Sequence, residues 1–246
     1  LDQSTIIAAT AIFLLAGMVK GTVGLGLPMT SVGLMASLVD PRLAIAIVVF
    51  PILVTNLWQI ARAGETLRCV RRFGWFATAL MISLLLVTTI AGQVSANILA
   101  VAIGIVIILF SLTSLTLKVP ELPDRFDTAG QVAGGVACGI IGGFTAIWSP
   151  PMVIYFLSRR LDKDEFVRAS GILIFLGGLP LAFGYWRAGL LTGPLALASL
   201  AMCIPAIAGF AVGERIRALL SPERFRTVVL VFFLFLGVNL VSRAFW

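Results

Sequence analysis

Apolar residues run along this chain in long blocks, separated by short charged clusters or by glycine and proline. The blocks are Thr5 to Val19, Met29 to Val39, Leu43 to Ala61, Phe73 to Ala91, Ile98 to Leu117, Val132 to Ile147, Met152 to Leu157, Ser170 to Trp186, Pro194 to Val212 and Val228 to Val241. A helix rises about 1.5 Å per residue and needs roughly 20 apolar residues to cross a hydrocarbon core of about 30 Å. The longer blocks therefore predict membrane-spanning helices, while several others are too short to span. A continuous helix from Thr5 to Val39 would be roughly 50 Å long, too long for one crossing. It must break, and KGTVGLGLP (Lys20 to Pro28) supplies three glycines that weaken a helix and a proline that can start a new one. The pattern predicts two half-length helices meeting there.

Composition supports a membrane setting. Hydrophobic residues make up 60% of the 246 residues and charged ones 12%, with a mean hydropathy of +1.09. Too little polar surface remains to face water, which excludes a soluble globule. Asp2, and the lack of Lys or Arg before the first apolar block, argue against a cleaved leader, so the first block is expected to be a retained helix. The three cysteines, Cys69, Cys138 and Cys203, have no metal-type spacing, and there is no histidine.

The polar segment KVPELPDRFDT, Lys118 to Thr128, divides the chain near its middle, and the two sides match. GMVKG at Gly17 aligns with GVACG at Gly135. Gly24 then falls on Gly142, a Pro-Met pair follows in each (Pro28-Met29, Pro151-Met152), Asp40 corresponds to Asp162, RAG recurs at Arg62 and Arg187, and Gly92 matches Gly213. The common order predicts a duplication: a first transmembrane repeat over 1–117, a cytoplasmic linker over 118–128 and a second repeat over 129–246.

The net charge of +7 does not indicate nucleic acid, because the basic residues sit in clusters between apolar blocks. They report on orientation. If each broken pair enters the membrane and returns, one side collects Arg62, Arg68, Arg71, Arg72, Lys118, Arg125, Arg159, Arg160, Lys163, Arg168, Arg215, Arg217, Arg224 and Arg226, and the other only Arg42, Arg187 and Arg243. A net crossing by each pair would split them almost evenly. The positive-inside rule favours the first arrangement, with the basic side in the cytoplasm and both termini periplasmic. Each repeat then holds a broken hairpin plus three spanning helices, an odd number of crossings. The expected fold is all-α, a polytopic helical membrane protein of two inverted repeats.

Chemistry is expected at the two breaks, KGTVGLGLP and GIIGGFTAIWSPP (Gly139 to Pro151), because broken backbone at membrane depth must be satisfied by protein, water or substrate. Half-helices starting near Pro28 and near Pro150 and Pro151 would aim free N–H groups at the midplane, an arrangement that favours anions. Lys20 is the one basic residue that this topology places inside the membrane, where it would attract an anion or else snorkel to an interface. Candidate substrate-binding residues are Lys20, Thr22, Gly24, Gly26, Ser31, Asn56, Gln59, Gly142, Gly143, Trp148 and Ser149. The glycines can equally serve close helix packing, and the hydroxyls their own backbone. Trp148, Tyr185 and Trp186 fit either a path or the lipid interface. Cys138, the counterpart of Lys20, reads as a small buried residue or a thiol facing a sulfur compound. Every Asp and Glu lies near a predicted segment end, so coupling through a buried carboxylate is not expected. Without histidine or paired buried carboxylates there is no catalytic apparatus, and neither an enzyme nor a metal or cofactor site is expected.

The duplicated glycine-rich break ending in proline, GMVKGTVGLGLPM and GVACGIIGGFTAIWSPPM, is followed by DPRLAIAIVVFPILVTNLWQ in the first half and by DKDEFVRAS in the second. In these features the chain resembles the sulfite exporter TauE/SafE family of membrane permeases over nearly its whole length. The resemblance implies movement of sulfite, sulfonates or related sulfur-containing anions across the bacterial inner membrane, usually outward. The partners implied are a small sulfur-containing anion and membrane lipid, and no nucleic acid. The reading left open beside it is a passive anion channel or a thiosulfate or sulfur-compound importer. Gly-xxx-Gly faces also permit a homodimer.

Overall fold

The computed structural model describes residues 2–64, 66–116, 119–219 and 222–243, so Leu117 and Lys118 at the predicted repeat boundary lie outside the described residues. The described residues form helices joined by short connections, without strands. The first half contains α1 (Gln3–Val23), α2 (Leu27–Ala36), α3 (Pro41–Ala63), α4 (Thr66–Arg72), α5 (Gly74–Ala91) and α6 (Ala96–Thr116). The second contains α7 (Asp127–Thr145), α8 (Ser149–Ser158), α9 (Lys163–Arg187), α10 (Gly193–Ala201), α11 (Cys203–Leu219) and α12 (Pro222–Arg243). Six helical stretches among the described residues are long and apolar enough to cross a membrane, α10 and α11 counting together as one. The chain is a multi-pass helical membrane protein.

Both predicted breaks are present, and both short helices begin as expected, with prolines in the first turns of α2 and α8. The expectation of two half-length helices needs correction. With 21 residues α1 is roughly 31 Å long, enough to span, and α7 with 19 residues is nearly so, whereas α2 and α8 have only 10 residues each. The glycines before Gly24 do not end α1, because they are packed against a neighbouring helix. At the break itself, Gly24 at φ +90° and Gly26 at φ +103° adopt the left-handed region that favours glycine. The Gly24 amide donates to the Lys20 carbonyl, capping α1.

Other boundaries also differ from the sequence pattern. The block Pro194 to Val212 is divided at Met202, just before Pro205, into α10 and α11. The charged DKDEFVRAS belongs to α9, which starts at Lys163 because the Asp162 carboxylate accepts from the Glu165 amide as an N-cap. The expected linker is structured in its described part: a 3-10 turn spans Asp124–Phe126 and α7 begins at Asp127. It is tied to the end of α8 by Leu122 N–H donating to the Ser158 carbonyl. Arg159 adds bonds to the Leu122 carbonyl at 2.6 Å and to Asp124 at 2.7 Å.

Glycine seams set the helix directions. Gly17 faces the backbone of Ala206 and Phe210, and Gly21, four residues on, faces Phe210 and Gly213. Residue numbers rise together, so α1 and α11 are parallel. In the same way Gly135 faces Phe76 and Leu80, Gly139 faces Leu80 and Leu84, and Gly143 faces Val87, which makes α7 parallel to α5. A β-carbon at Gly17 would lie 2.1 Å from the Ala206 carbonyl oxygen, so only glycine allows this approach. Because these glycines are engaged within the chain, a homodimer would have to use another face.

The remaining pairs complete the bundle. Phe50 N–H donates to Ser199 Oγ, and Arg62 pairs with Glu214, so α3 runs parallel to α10 and α11. Gln59 meets Gly171 while Leu53 meets Gly178, so α3 and α9 are antiparallel; Gly104 and Gly237 mark a similar antiparallel contact between α6 and α12. Since α1 and α3 point the same way, α2 must carry the chain back between them. The same argument applies to α7, α8 and α9, because α5 is parallel to both α7 and α9, with Leu80 meeting Gly177 and Thr88 meeting Gly184.

Candidate functional site

Lys20 lies in the last turn of α1, before the break rather than within it, and is only 2% exposed. Its Nζ donates to Asn56 Oδ1 on α3 at 2.5 Å and sits 6.0 Å from the centre of the Phe210 ring. Asn56 is held in turn by its own amide, which donates to the Ile52 carbonyl at 2.7 Å. Lys20 therefore projects between α3 and α11, where the glycine seam brings α1 close enough for the ammonium to reach α3. A buried amine needs hydrogen-bond acceptors around it, and a neutral amide supplies one of them without cancelling the charge.

Above Lys20 opens a polar cavity of about 390 Å³, lined by Lys20, Gly21, Gly24, Gln59, Arg62, Ala63, Asp164, Val167, Arg168, Phe210, Glu214 and Arg217. The four basic and two acidic side chains leave a positive balance. Gln59 sits one turn beyond Asn56 on the same face of α3. Its Nε2 donates to the Val167 carbonyl of α9 at 2.6 Å, and its Oε1 is buried without a hydrogen-bond partner among the described residues. Asp164 and Arg168 also border a second polar hollow of about 770 Å³ with Arg68, Cys69 and Arg72, where Arg72 pairs with Glu165. Burial there pushes the Cys69 thiol up to about 11, with the nearby Glu165 carboxylate adding to the effect.

Below Lys20 the described residues between α1 and α3 are packed. On α1 Phe13 and Ala16, and on α3 the run Ala44 to Val49 with Ile52, have no exposed surface. The polar cavity thus opens toward the ends of α3 and α11 and meets packed apolar side chains in the other direction.

Of the residues singled out in the sequence, the structure brings Lys20, Gly24, Asn56 and Gln59 together. Thr22 donates to the Met18 and Gly213 carbonyls, and Ser31 to that of Leu27, so both hydroxyls serve helix backbone. Gly26 borders a different cavity, apolar and about 160 Å³, with Phe110, Phe166 and Phe233. The second break forms a separate place. Trp148 is 1% exposed and packs on Gly142 and Gly177, its Nε1 unpartnered among the described residues, while Gly143 packs on Val87 and Ser149 is buried beside it in the chain. The lipid-interface reading does not fit Trp148 or Tyr185, which is 3% exposed, whereas Trp186, at 61%, faces outward. Cys138 is a packed thiol that donates to the Trp148 carbonyl. Sequence reasoning missed Arg62, Arg168, Arg217, Asp164 and Glu214, having placed them in loops; their position on the more basic side was the available signal.

No group of three or more His, Cys, Asp or Glu that could hold a metal occurs among the described residues. What the arrangement can do is receive a small anion from one side of the membrane, with a buried ammonium as its floor. Comparison with known proteins agrees in kind. Neither the curated proteins nor the solved structures gave a match. The family model described as sulfite exporter TauE/SafE matches residues 9–240, nearly the whole chain, and the protein belongs to that family of membrane transporters for sulfite and related sulfur-containing anions.

Proposed function

We propose that this chain is a secondary transporter that exports sulfite or a related organosulfonate across the bacterial inner membrane, by alternating access around Lys20. The observation that carries the reading is the buried Lys20 amine, bonded to Asn56, at the floor of a polar cavity. An intramembrane charge is expensive and marks an ion path. Closure of the opposite side by Phe13, Ala16 and the Ala44 to Val49 run favours a carrier over a passive channel, which needs a continuous pore.

The proposed architecture is a pair of inverted repeats, 1–117 and 129–246, joined by a cytoplasmic segment over 118–128, with both termini periplasmic. It is supported by the exchange of equivalent contacts: α1 on α11 against α7 on α5, and antiparallel pairing of α3 with α9 and α6 with α12. The basic rim of the cavity then faces the cytoplasm, as the positive-inside rule requires. Gly142, Gly143, Trp148 and Ser149 act on this reading as the moving partner surface of the second break, and Thr22, Gly26 and Ser31 as the frame of the first. With no carboxylate at the floor, the membrane potential drives export, worth about 2.3 kcal/mol per charge per 100 mV.

The test is sulfite flux in proteoliposomes of known orientation, with and without a potassium-diffusion potential, for the wild type and Lys20→Met. Saturable flux out of the cytoplasmic face that accelerates with a negative interior and disappears in the variant is expected. Flux indifferent to potential would reject the driving force, and undiminished flux in the variant would reject the site.

A further inference from the structure

The floor of the polar cavity carries two different groups, the Lys20 amine of α1, held by Asn56, and the Gln59 amide, one turn beyond Asn56 on the same face of α3. Lys20 Nζ, with Asn56 Oδ1 as one acceptor, has N–H bonds left to give. Gln59 is 6% exposed and lines the cavity, and its Oε1 has no partner among the described residues. The identity of that atom is fixed by the other end of the amide: Nε2 donates to the Val167 carbonyl, which no oxygen could do. A buried acceptor left empty carries the desolvation cost of an unmade hydrogen bond, which a ligand supplying the donor would relieve.

We propose that the site selects monoanions that carry a hydrogen-bond donor on or beside the anionic group, with the anion on Lys20 and the donor hydrogen on Gln59 Oε1. Hydrogen sulfite, with its O–H, belongs to this class; sulfate and other dianions do not. This deepens the anion-site reading and rests on it. The charge count agrees, because Lys20 is the one fully buried charged side chain among the described residues, whereas Arg62 is paired with Glu214 at 2.9 Å and Arg168 and Arg217 line the cavity half-buried. A second negative charge at the floor would have no second fully buried cation to meet it. A cavity of about 390 Å³ holds such an ion with its remaining water, given about 30 Å³ per water molecule.

Sulfamate and methanesulfonate isolate the donor. Both are monoanions of nearly equal size built on a sulfonate, and they differ by an NH₂ in place of a CH₃. Their binding to the purified full chain in detergent is measured by calorimetric titration, for the wild type and for Gln59→Leu, with circular dichroism confirming the fold. Sulfamate is expected to bind about tenfold tighter than methanesulfonate, with sulfate weaker than either. In Gln59→Leu the tenfold preference collapses, sulfamate binding no tighter than methanesulfonate in the same variant. Equal binding of the two monoanions by the wild type would overturn the donor requirement and leave the Lys20 anion site standing. So would a preference that persists in Gln59→Leu. Binding of neither by the folded wild type would overturn both. The wild-type comparison decides the matter even where the variant does not fold.

Discussion

Replacing Lys20 should separate function from stability. The ammonium is 2% exposed and has one neutral acceptor, Asn56 Oδ1, with the Phe210 ring at 6.0 Å. Burying an ion costs several kcal/mol even after relaxation. The charge-assisted bond returns about 1.5–3 kcal/mol and the ring about 0.5–2 kcal/mol. The balance leaves Lys20 unfavourable for folding by about 1–3 kcal/mol. Lys20→Met keeps the length of the side chain and removes that cost, but leaves Asn56 Oδ1 without its donor, a loss of about 1–3 kcal/mol. The single variant should therefore lie within about 2 kcal/mol of the wild type. The double variant Lys20→Met with Asn56→Leu removes both polar groups and should be more stable by about 1–3 kcal/mol.

The assay is thermal unfolding in detergent followed by circular dichroism, where a chain of this size shifts about 2–4 °C per kcal/mol. An upward shift of about 2–12 °C in the double variant is expected, together with complete loss of anion binding. A double variant that melts well below the wild type would refute the reasoning. It would mean that Lys20 and Asn56 hold the bundle together and are retained for structure, so the buried charge would lose its standing as a sign of function.

The glycine seams give a second expectation. A β-carbon at Gly139 would lie 1.8 Å from Ser83 Oγ and 2.7 Å from the Leu84 amide, so Gly139→Val should destabilise the fold by about 1–3 kcal/mol, as should Gly17→Val, both read by thermal unfolding. The Arg62–Glu214 pair is 60% and 36% exposed on its two side chains, so Glu214→Gln should change stability by less than about 1 kcal/mol in the same measurement. Arg159 is a different case, since it is 16% exposed and binds Leu122, Asp124 and Asp127; Arg159→Met should cost about 1–3 kcal/mol and open the segment before α7 to limited proteolysis. The Cys69 thiol, raised to about 11, stays protonated at neutral pH. Its alkylation, located by mass spectrometry, should keep rising about tenfold per pH unit from pH 8 to 10, where a thiol at its ordinary value of 9.0 would level off.

How much of this was legible beforehand varied with the kind of interaction. The two breaks, the starts of α2 and α8 and the burial of Lys20 followed from local chemistry: glycine, proline and charge within an apolar run. The lengths of α1 and α7 did not, because a glycine in isolation argues for a break. Gly17 and Gly21 remain helical because α11 is packed into the space that their missing side chains leave. That is a contact between residues nearly 200 positions apart, and no window of sequence contains it. Asn56 and Gln59 were readable as polar residues in a spanning helix, and their spacing put them on one face. Arg168 and Asp164 were not, because the start of α9 lies in a polar stretch that hydropathy assigns to a loop, while the Asp162 cap makes it helix.

The two breaks share a backbone plan but differ in chemistry, and the difference bears on mechanism. At the first, Lys20, Asn56 and Gln59 create a charged, partly unsatisfied floor under an open cavity. At the second, the position equivalent to Lys20 is Cys138, and Trp148 fills the space over Gly142 and beside Gly177. A transporter with two equal anion sites would need a polar approach at both breaks. On the proposed reading the buried amine at the floor comes from the first half, the second half adds side chains to the rim, and its own break offers an aromatic surface. On the inverted-repeat reading, opening toward the far side requires the packed shell of Phe13, Ala16 and the Ala44 to Val49 run to part from Lys20, while the arginine rim closes over it. The seam between α1 and α11 is backbone on backbone with no side chain to yield, so these two helices move as one unit. On the same reading one surface available to slide is that between α3 and α9, where Gln59 donates a hydrogen bond to the Val167 carbonyl. Gln59 is thereby placed to feel both the bound anion and the relative position of the two halves.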